Sequence, residues 1–332
     1  MQKIEIIKPI DYPGWDDLVL STPDYSFFHS SSWARVLVES YDYKPLYFTI
    51  LDKGRLLALI PVMEINSPLT GRRGVSLPFS DYCEPVILES ANFHDVFNHI
   101  AVYGKKAGWK YIELRGGTKL FQHISLSSYF YGHTLDLKQN EDKIFSGFRS
   151  TTRKNIKKAL REGVTAKVCN SLDSIREYYR LNCLTRKSHG LPPQPFHFFR
   201  IVFDHIISRN EGTLVLASYH NKVVAGAVFL HFGDRVIYKY GASDRTYQNV
   251  RPNNLVMWEA IKSYLLNGYK NFSFGRTEIE NPGLLKFKDG WTNEVQIINY
   301  YRYDLIKGSM LQEKARYFNF YRSILGKCQP IS

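Results

Sequence analysis

The chain has 332 residues, of which 44% are apolar and 23% charged, a composition that excludes an intrinsically disordered protein and supplies enough apolar side chains for a full core. At about 100–200 residues per domain, this length predicts two domains. The longest apolar runs, residues 56–63 and 223–232, are shorter than the roughly 20 residues that a membrane-spanning helix needs. Because the N-terminal segment has no apolar core and no cleavage site, we expect a first strand, not a signal peptide, and a cytoplasmic protein.

The charge balance is strongly basic. There are 44 lysine and arginine residues against 31 aspartate and glutamate residues, which gives a net charge of +13. Such an excess predicts attraction to nucleic acid, to an anionic membrane or to a phosphate-bearing small molecule, and the alternative is a generally basic, solvated surface. The four cysteines lie far apart, without the spacing of a zinc site, so we expect reduced thiols and no metal, with a catalytic cysteine left open.

Hydrophobic periodicity and turn residues predict alternating strands and helices. The first half is predicted to contain, in chain order, strand 4–7, helix 32–40, strands 45–51 and 55–63, a loop over 71–85, helix 94–107, and strands 111–115 and 133–137. The second half is predicted to contain helix 150–163, strand 166–169, helices 172–187 and 196–209, strands 213–220, 222–232 and 235–242, helix 254–267, strands 272–275 and 294–303, and a basic amphipathic helix over 309–325.

Two apolar strands indicate an internal repeat. Residues 56–63 and 223–232 each follow a tight turn and are apolar almost throughout, as the central strands of a sheet are. Each strand occurs in the same order of helical segment, strand pair, helix and further strands. We therefore predict an α/β (α+β) fold built from two copies of one unit, with low sequence identity between the copies.

The predicted helix at 150–163 carries a basic face. A hydroxyl side chain at positions 150–152 can cap this helix. Arg153, Lys157 and Arg161 share a face, where like charges weaken a helix by a few tenths of a kcal/mol per pair, so helix stability does not explain their spacing. A phosphate-bearing partner would explain it, which makes Arg153 and Lys157 candidate substrate-binding residues; the alternative is a solvated basic face. The remaining basic residues of this segment are Arg149, Lys154 and Lys158.

A long loop over 241–255 joins a predicted strand to a predicted helix. The free N–H groups at a helix N-terminus suit an anion, and Arg245 and Arg251 add positive charge, so Arg245 is a candidate substrate-binding residue. The loop has no glycine after Gly241, although a backbone that contacts a pyrophosphate usually needs glycines. The loop is therefore a weak signal for a nucleotide or coenzyme A.

Two lysines near the end of the second half surround a phenylalanine. If residues 286–288 are extended, Lys286 and Lys288 point to one side and Phe287 to the other. A lysine beside aromatic side chains can hold a developing oxyanion, and Arg276 precedes the pair at the end of a short strand. The alternative is two surface lysines beside a core phenylalanine.

The first half contributes one candidate, Asp81, in a loop between aromatic residues. Its carboxylate could bind a substrate amine or accept a proton, although an Asx-turn residue is the commoner case. The sequence contains no HExxH, GxSxG or P-loop pattern, which argues against a metalloprotease, a serine hydrolase and a P-loop ATPase.

Several segments together resemble the FemAB/FemX-like branch of the GNAT acyltransferase superfamily. They are FRSTTRKNIKKALREGV at 148–164, YKYGASDRTYQNVRPNNLVMWEAIKSYLLNGYKNFSFGRT at 238–277, PGLLKFKDGW at 282–291, FFHSSSWARVLVESY at 27–41, LLALIPVMEI at 56–65 and LPFSDYCEP at 77–85. The resemblance covers most of residues 25–303. It implies two tandem GNAT-like domains with mixed, mostly antiparallel sheets: residues 1–145 with the tail 306–332, and residues 146–305.

The resemblance also implies a reaction, which is the transfer of an acyl or aminoacyl group onto an amine of a cell-envelope precursor or a sugar-nucleotide-type substrate. It implies no tightly bound cofactor, and the donor would be aminoacyl-tRNA or acyl-CoA. The family's Phe-Lys lysine would be Lys288, and Arg276 matches a recurrent Phe-Gly-Arg. Tyr238 and Tyr240 would lie on the strand that lines the substrate channel, and Arg186 in the region of a substrate-phosphate arginine.

We therefore expect the substrate amine to attack a bound ester or thioester directly. Lys288 would stabilise the oxyanion, Arg276 and Lys286 would hold charge nearby, and Asp81 or a tyrosine would help the amine lose its proton.

Two alternatives stay open. The first is an acyl-CoA-dependent N-acyltransferase. The second is a non-catalytic basic module that binds nucleic acid or an anionic membrane through residues 149–161 and the tail residues Lys307, Lys314, Arg316 and Arg322. The predicted partners are a phosphate-bearing or lipid-linked substrate, with tRNA and peripheral contact with an anionic membrane in addition. No pattern supports sequence-specific DNA binding.

Overall fold

The computed structural model describes residues 2–88, 91–121 and 126–311. These residues fall into two compact units. The first comprises the described residues up to Phe130 together with residues 297–311, and the second comprises Tyr131–Gln296.

The elements alternate between strand and helix along the chain. Up to residue 121 they are β1 (Ile4–Ile7), α1 (Trp15–Leu20), α2 (Ser31–Tyr41), β2 (Lys44–Asp52), β3 (Arg55–Ser67), β4 (Gly71–Val75), β5 (Val86–Ile87), α3 (Phe93–Lys106) and β6 (Tyr111–Arg115). From residue 126 they are β7 (Ser128–Asp136), α4 (Glu141–Gly147), α5 (Ser150–Arg161), β8 (Thr165–Cys169), α6 (Leu172–Ser188), α7 (Phe196–His205), β9 (Gly212–Tyr219), β10 (Lys222–Phe232), β11 (Arg235–Ser243), α8 (Pro252–Leu266), β12 (Asn271–Thr277), α9 (Pro282–Lys288), β13 (Glu294–Asp304) and β14 (Ser309–Met310).

The sheet of the first unit has the strand order β1-β2-β3-β4-β6-β13. All neighbours are antiparallel except β4 and β6, which are parallel and are connected through α3. The central strand β3 is buried over most of its length because both of its faces are covered, as its apolar sequence predicts. Helix α2, which contacts β2, buries the predicted stripe of Trp33, Val36 and Leu37 completely.

The sheet of the second unit has the order β8-β9-β10-β11-β12-β7. Again all neighbours are antiparallel except one pair, β11 and β12, which are connected through α8. The central strand β10 is almost continuously buried, and α8 is buried on nearly every face. The core of this unit joins the strands to α5, α8 and α9 through side chains such as Phe148, Trp258 and Trp291.

The two units therefore share one topology, which agrees with the predicted internal repeat. In each, four antiparallel strands are followed by a helix, a parallel strand and a final antiparallel strand. In the sequence, the final strand of each unit follows the parallel strand of the other unit: β7 follows β6 but pairs with β12, and β13 follows β12 but pairs with β6. For this reason the compact units divide at 130/131 and 296/297, whereas the sequence predicted boundaries at 145/146 and 305/306.

Three local predictions are wrong. Residues 71–75 form strand β4 where a loop was expected, because their backbone pairs with β3 on one side and β6 on the other despite the glycine and arginine side chains. Helix α5 begins after Arg149 and has no side-chain cap, so the hydroxyls at 150–152 lie inside the helix. Residues 309–310 form β14 where a helix was predicted, and the rest of that predicted helix, with Lys314, Arg316 and Arg322, lies outside the described residues. Helices α1 and α4 were not predicted.

Candidate active site

The parallel strands of the second unit separate partway along their length. Residues 235–237 of β11 pair with residues 271–273 of β12, and both strands continue for several residues beyond the last pair. Each strand has a register shift just past that point: β11 has an extra residue against β10 at Lys239, and β12 is bulged against β7 between Ser273 and Arg276. Because bulges bend and twist strands, the pair diverges here.

Three sequence-predicted residues lie on these diverging segments. Tyr238 and Tyr240 are on β11, and Arg276 is on β12, where its side chain is half-buried. Gly275 in the β12 bulge has a φ of 67°, a left-handed conformation that favours glycine. The separation therefore brings together residues that are far apart in the sequence.

Lys288 is buried at this bulge. Its side chain ends α9, is 2% exposed, and donates from Nζ to the carbonyl oxygens of Gly275 at 3.2 Å and Arg276 at 3.0 Å. An ammonium group taken out of water is costly unless acceptors surround it, and two carbonyl groups provide that compensation. Lys288 thus places a positive charge inside the unit, next to the diverging strands.

The predicted extended geometry of the lysine pair is wrong. Residues 282–288 form helix α9, in which neighbours two apart do not share a side, so Lys286 is exposed while Lys288 is buried. Asn281 begins this helix by accepting a hydrogen bond from the Leu284 N–H at 3.1 Å, and Pro282 occupies its first turn. The proline and the asparagine were visible in the sequence and signal a helix start.

A polar cluster that no sequence motif marks lies beside Lys288. His133 of β7 is fully buried, and its Nε2 lies 2.8 Å from Oδ1 of Asp289, the residue that follows Lys288. Arg149, which precedes α5, lies 3.6 Å from the other carboxylate oxygen and donates its backbone N–H to the Gly290 carbonyl at 3.0 Å. No motif marks His133, because it meets Asp289 only through strand pairing.

The two candidate tyrosines on β11 have different neighbours. Tyr238 packs against Phe229, and burial raises its pKa to about 12. Tyr240 packs edge-on against Phe198 and Phe199 of α7. The raised pKa keeps Tyr238 protonated at neutral pH, so it is a poor proton acceptor and gives up its own proton less readily than an ordinary tyrosine.

Arg186 belongs to a polar row along α6, a helix that packs against β11. The row consists of Tyr178, Asn182 and Arg186 at i, i+4 and i+8 spacing. Within the described part of the chain, the fully buried Tyr178 hydroxyl and the Asn182 amide nitrogen have no hydrogen-bond partner. Burial lowers the pKa of Arg186, and Tyr178 acts in the opposite direction. Such groups need a ligand or water as partner.

The remaining basic candidates lie on α5 and on the turn after β11, whereas Lys288 donates to carbonyl groups of β12. Lys157 on α5 is exposed, whereas Arg153 is half-buried and its Nε finds no hydrogen-bond acceptor among the described residues. Arg245 is exposed on a 3-10 turn over Arg245–Val250, which Asp244 caps.

Asp81 belongs to the first unit. It lies in the loop after β4, it is 9% exposed, and its backbone carbonyl accepts a hydrogen bond from the Tyr300 hydroxyl at 2.7 Å. Arg115 donates to the backbone carbonyls of Leu77 and Ser80 in the same loop. In this unit the loop thus occupies the ends of the parallel strands. Burial tends to lower the pKa of Arg115, and the Asp81 carboxylate is one of the groups that raise it.

The described residues lack a cluster of metal-ligating side chains, and one of their thiols, Cys83, is deeply buried. No group of three or more His, Cys, Asp or Glu side chains there could hold a metal ion. Cys83 is fully buried, and burial raises the pKa of its thiol, which disfavours a nucleophilic thiolate. In the same residues, no helix is both long enough and apolar enough to cross a membrane.

The acetyltransferase (GNAT) domain family matches residues 146–289, a range that includes the separating strands and Lys288. This part of the chain therefore carries the sequence pattern of a GNAT domain. Over 90 residues the chain is 31% identical to the lipid II:glycine glycyltransferase of Staphylococcus haemolyticus; the match takes in 25% of this chain and 22% of that protein. The chain thus matches about a fifth of the length of this curated relative.

Solved structures show the same fold over nearly the whole chain. The crystal structure of FemX superposes with a TM-score of 0.69 at 13% identity, over 90% of this chain and 96% of that one. A tandem GNAT protein from the clavulanic acid biosynthesis pathway gives a TM-score of 0.57 at 9% identity, over 92% and 99%. The predicted fold of two tandem GNAT-like domains is confirmed. The FemX superposition and the sequence relative both agree with the resemblance to the FemAB/FemX-like branch.

Proposed function

We propose that this chain is an acyl- or aminoacyltransferase that acts on an amine of a cell-envelope precursor or of a sugar-nucleotide-type substrate. The observation that carries the proposal is the buried ammonium group of Lys288 beside the separating strands of a GNAT domain. The relative whose name gives lipid II as its substrate supports a lipid-linked acceptor.

In the proposed reaction the substrate amine attacks the carbonyl carbon of an ester or thioester donor. A C–N bond forms, the C–O or C–S bond breaks, and the leaving group departs as an alcohol or a thiol. Lys288 stabilises the negative charge that develops on the carbonyl oxygen. Arg276 adds positive charge nearby, whereas the exposed Lys286 has no role in this step. The amine gives up the proton that the leaving alcohol or thiol gains, and Tyr238, whose pKa is about 12, is a poor acceptor for it. Asp81, which belongs to the first unit, stays a sequence-based prediction for the proton acceptor.

Replacing Lys288 with Met tests this role. We expect the rate constant of transfer to fall by roughly 10²–10³, the usual effect of removing one oxyanion donor. Lys286→Met is the matched control, because Lys286 is exposed two residues away and should lose far less activity. Full transfer activity in Lys288→Met would show that the lysine has no catalytic role.

The donor in this proposal is aminoacyl-tRNA or acyl-CoA, and ligand-induced shifts of the melting temperature separate the two. A panel of coenzyme A, acetyl-CoA, UDP-sugars and bulk tRNA, measured at low and moderate salt, is suitable because a ligand that binds only the folded chain raises that temperature. A salt-tolerant shift with coenzyme A supports the acyl-CoA-dependent enzyme. A shift with a UDP-sugar or tRNA, and none with coenzyme A, supports the aminoacyl route.

A second proposal concerns helix α5, whose exposed basic side chains suit a polyanionic partner. Lys154, Lys157 and Arg161 are exposed, and Arg149 beside the helix is half-exposed. A tRNA donor or the anionic surface around a lipid-linked substrate would supply the negative charge. Peripheral binding to an anionic membrane would also bring the chain to such a substrate. A non-catalytic module is the alternative, and it predicts polyanion binding that disappears at moderate salt with no small-molecule preference.

A further inference from the structure

Lys288 is followed by a carboxylate whose partner is a buried histidine. Asp289 accepts a hydrogen bond from Nε2 of His133 at 2.8 Å, and the imidazole is fully buried. Because a carboxylate only accepts, Nε2 carries the proton. A charge-assisted bond of this kind is about twice as strong as one between neutral groups.

The strand register places His133 opposite the β12 bulge. Thr134 pairs with Ser273 and Gly132 pairs with Arg276, so the one residue between them on β7 faces the two residues between them on β12. Lys288 donates to carbonyl groups of this same bulge. The end of α9 is thus attached to both strands at one level, by Lys288 to β12 and by Asp289 to β7.

A third attachment holds the turn after Lys288. Arg149 donates its backbone N–H to the Gly290 carbonyl at 3.0 Å, and its guanidinium lies 3.6 Å from Asp289. The Asp289 carboxylate is therefore fixed from two sides. Burying a polar side chain for a hydrogen bond is seldom the most stabilising way to join two elements, since well-packed apolar residues often do as well or better. The histidine and aspartate are thus better explained by a need for a defined geometry than by stability.

We propose that His133 and Asp289 are positioning residues for Lys288, which hold its ammonium group at the β12 bulge. This inference rests on the proposed function for its catalytic meaning, but the geometry it asserts can be tested without a substrate. Loss of the pair should free the end of α9, so that the Lys288 amine leaves the bulge carbonyls and meets solvent more often.

Competitive labelling of lysine amines with acetic anhydride, read by mass spectrometry, measures that exposure. Lys286 is the internal reference, because it is exposed and lies on the same helix. In the wild-type chain we expect Lys288 to react at least about tenfold more slowly than Lys286. In His133→Leu and in Asp289→Ala the ratio of the two rates should rise severalfold toward unity. His133→Gln offers an amide N–H near the position of Nε2 and should keep the ratio close to that of wild type.

An unchanged ratio in both His133→Leu and Asp289→Ala would overturn the proposal, and so would equal ratios in His133→Leu and His133→Gln. If His133→Leu does not fold, Asp289→Ala decides, since that side chain is one-third exposed and its loss disturbs the core less. Transfer kinetics form a separate arm: His133→Leu should lower kcat with little change in KM. Labelling as expected, together with no transfer by the wild-type chain, would support the positioning role and contradict the proposed function.

Discussion

The ammonium group of Lys288 is buried where the backbone is irregular. In a regular strand the carbonyl groups of two neighbouring residues point to opposite sides, whereas at this bulge the carbonyl groups of Gly275 and Arg276 both accept from the lysine. The bulge in turn depends on the positive φ of Gly275. One glycine and one lysine, thirteen positions apart, therefore form a single local structure.

The turn after Lys288 has no room for a side chain at Gly290. A Cβ there would overlap Oγ1 of Thr152, the buried residue in the first turn of α5. We expect Gly290→Ala to lower the free energy of unfolding by about 1–3 kcal/mol through overpacking. Urea denaturation of Gly290→Ala, Thr152→Ala and the double variant measures the effect. The double variant should recover much of the loss, whereas simple additivity of the two single changes would contradict this contact.

Glu113 links stability to pH in the first unit. Burial tends to raise its pKa, but the guanidinium groups of Arg115, 3.0 Å away, and Arg302, 2.9 Å away, outweigh burial and lower the pKa to about 2. The unfolded chain protonates this carboxylate near its ordinary value of 4.5. The stabilisation is therefore complete above pH 4.5 and is lost as the pH falls toward 2. Its pH-dependent part amounts to about 3 kcal/mol.

Glu113→Gln should remove this pH dependence. We expect the difference in unfolding free energy between wild type and Glu113→Gln to shrink steadily between pH 5 and pH 2.5, as measured by urea denaturation. Parallel curves for the two proteins over this range would contradict the assigned role of Glu113.

Single residues were the part of the site that the sequence predicted least completely. Lys288 and Arg276 could be named because a Phe-Lys and a Phe-Gly-Arg motif mark them. His133 and Asp289 could not, because each is an isolated residue 156 positions from the other and only strand pairing joins them. Asp81 and Lys288 could be named, but the sequence carries no information about the surroundings of either side chain.

Helix α5 combines a buried apolar side with a basic side. Ile156 and Ala159 are buried in the second unit, while most of the basic residues remain exposed. Because nothing in the helix itself benefits from this concentration of positive charge, a partner outside the chain is the simplest reason for it.

Removing charge from α5 should weaken polyanion binding in a salt-dependent way. We expect the triple variant Lys154→Gln, Lys157→Gln, Arg161→Gln to bind bulk tRNA less tightly. The plot of log K against log salt should become less steep, with the magnitude of its negative slope reduced by about 2–3. Vesicles containing phosphatidylglycerol form the second probe. A control variant with Lys53, Lys105 and Lys106 changed to Gln removes the same charge from exposed positions of the first unit. Equal losses in the two variants would show that only net charge matters.

At the level of elements, the sequence predicted most helices and strands within a few residues, because their periodicity is strong. It failed where a neighbour, not the local sequence, determines the structure. Residues 71–75 are a strand because β3 and β6 supply partners for their backbone, and Gly74 is needed where the Trp109 ring packs against it. Helix α9 was not predicted, because the alternation of Lys286 and Lys288 was interpreted as a strand although Asn281 and Pro282 signal a helix start.

The whole molecule repeats one topology twice, but the last strand of each copy follows the parallel strand of the other copy in the sequence. Strand β13 pairs with β6. Tyr301 within the strand and Leu305 directly after it are buried in the core of the first unit. The second unit contains all of its own strands between Tyr131 and Gln296. One contiguous segment of chain therefore supplies the described second unit, whereas the first unit needs two segments.

Fragments of the chain should show this difference. We expect residues 131–296 to unfold cooperatively on their own. Residues 1–130 should not, because without β13 this unit loses the buried side chains of Tyr300, Tyr301 and Leu305, at about 1.5–3 kcal/mol each, which is a large part of a typical domain's stability. Adding a peptide of residues 294–311 should restore a cooperative thermal transition. A peptide with Tyr301→Ala is the control, and a cooperative transition of residues 1–130 without any peptide would contradict the prediction.

The exchange of last strands also sets an order of events during synthesis. Proteins made on a ribosome generally fold from the N-terminus as each domain emerges, at roughly 5–20 residues per second. Here the first unit has emerged up to Phe130 but must wait for the entire second unit, on the order of ten seconds or more, before β13 arrives. During that interval β6 has an open edge, which is a surface on which chains aggregate and which chaperones bind. The N-terminal half of this chain is therefore completed last.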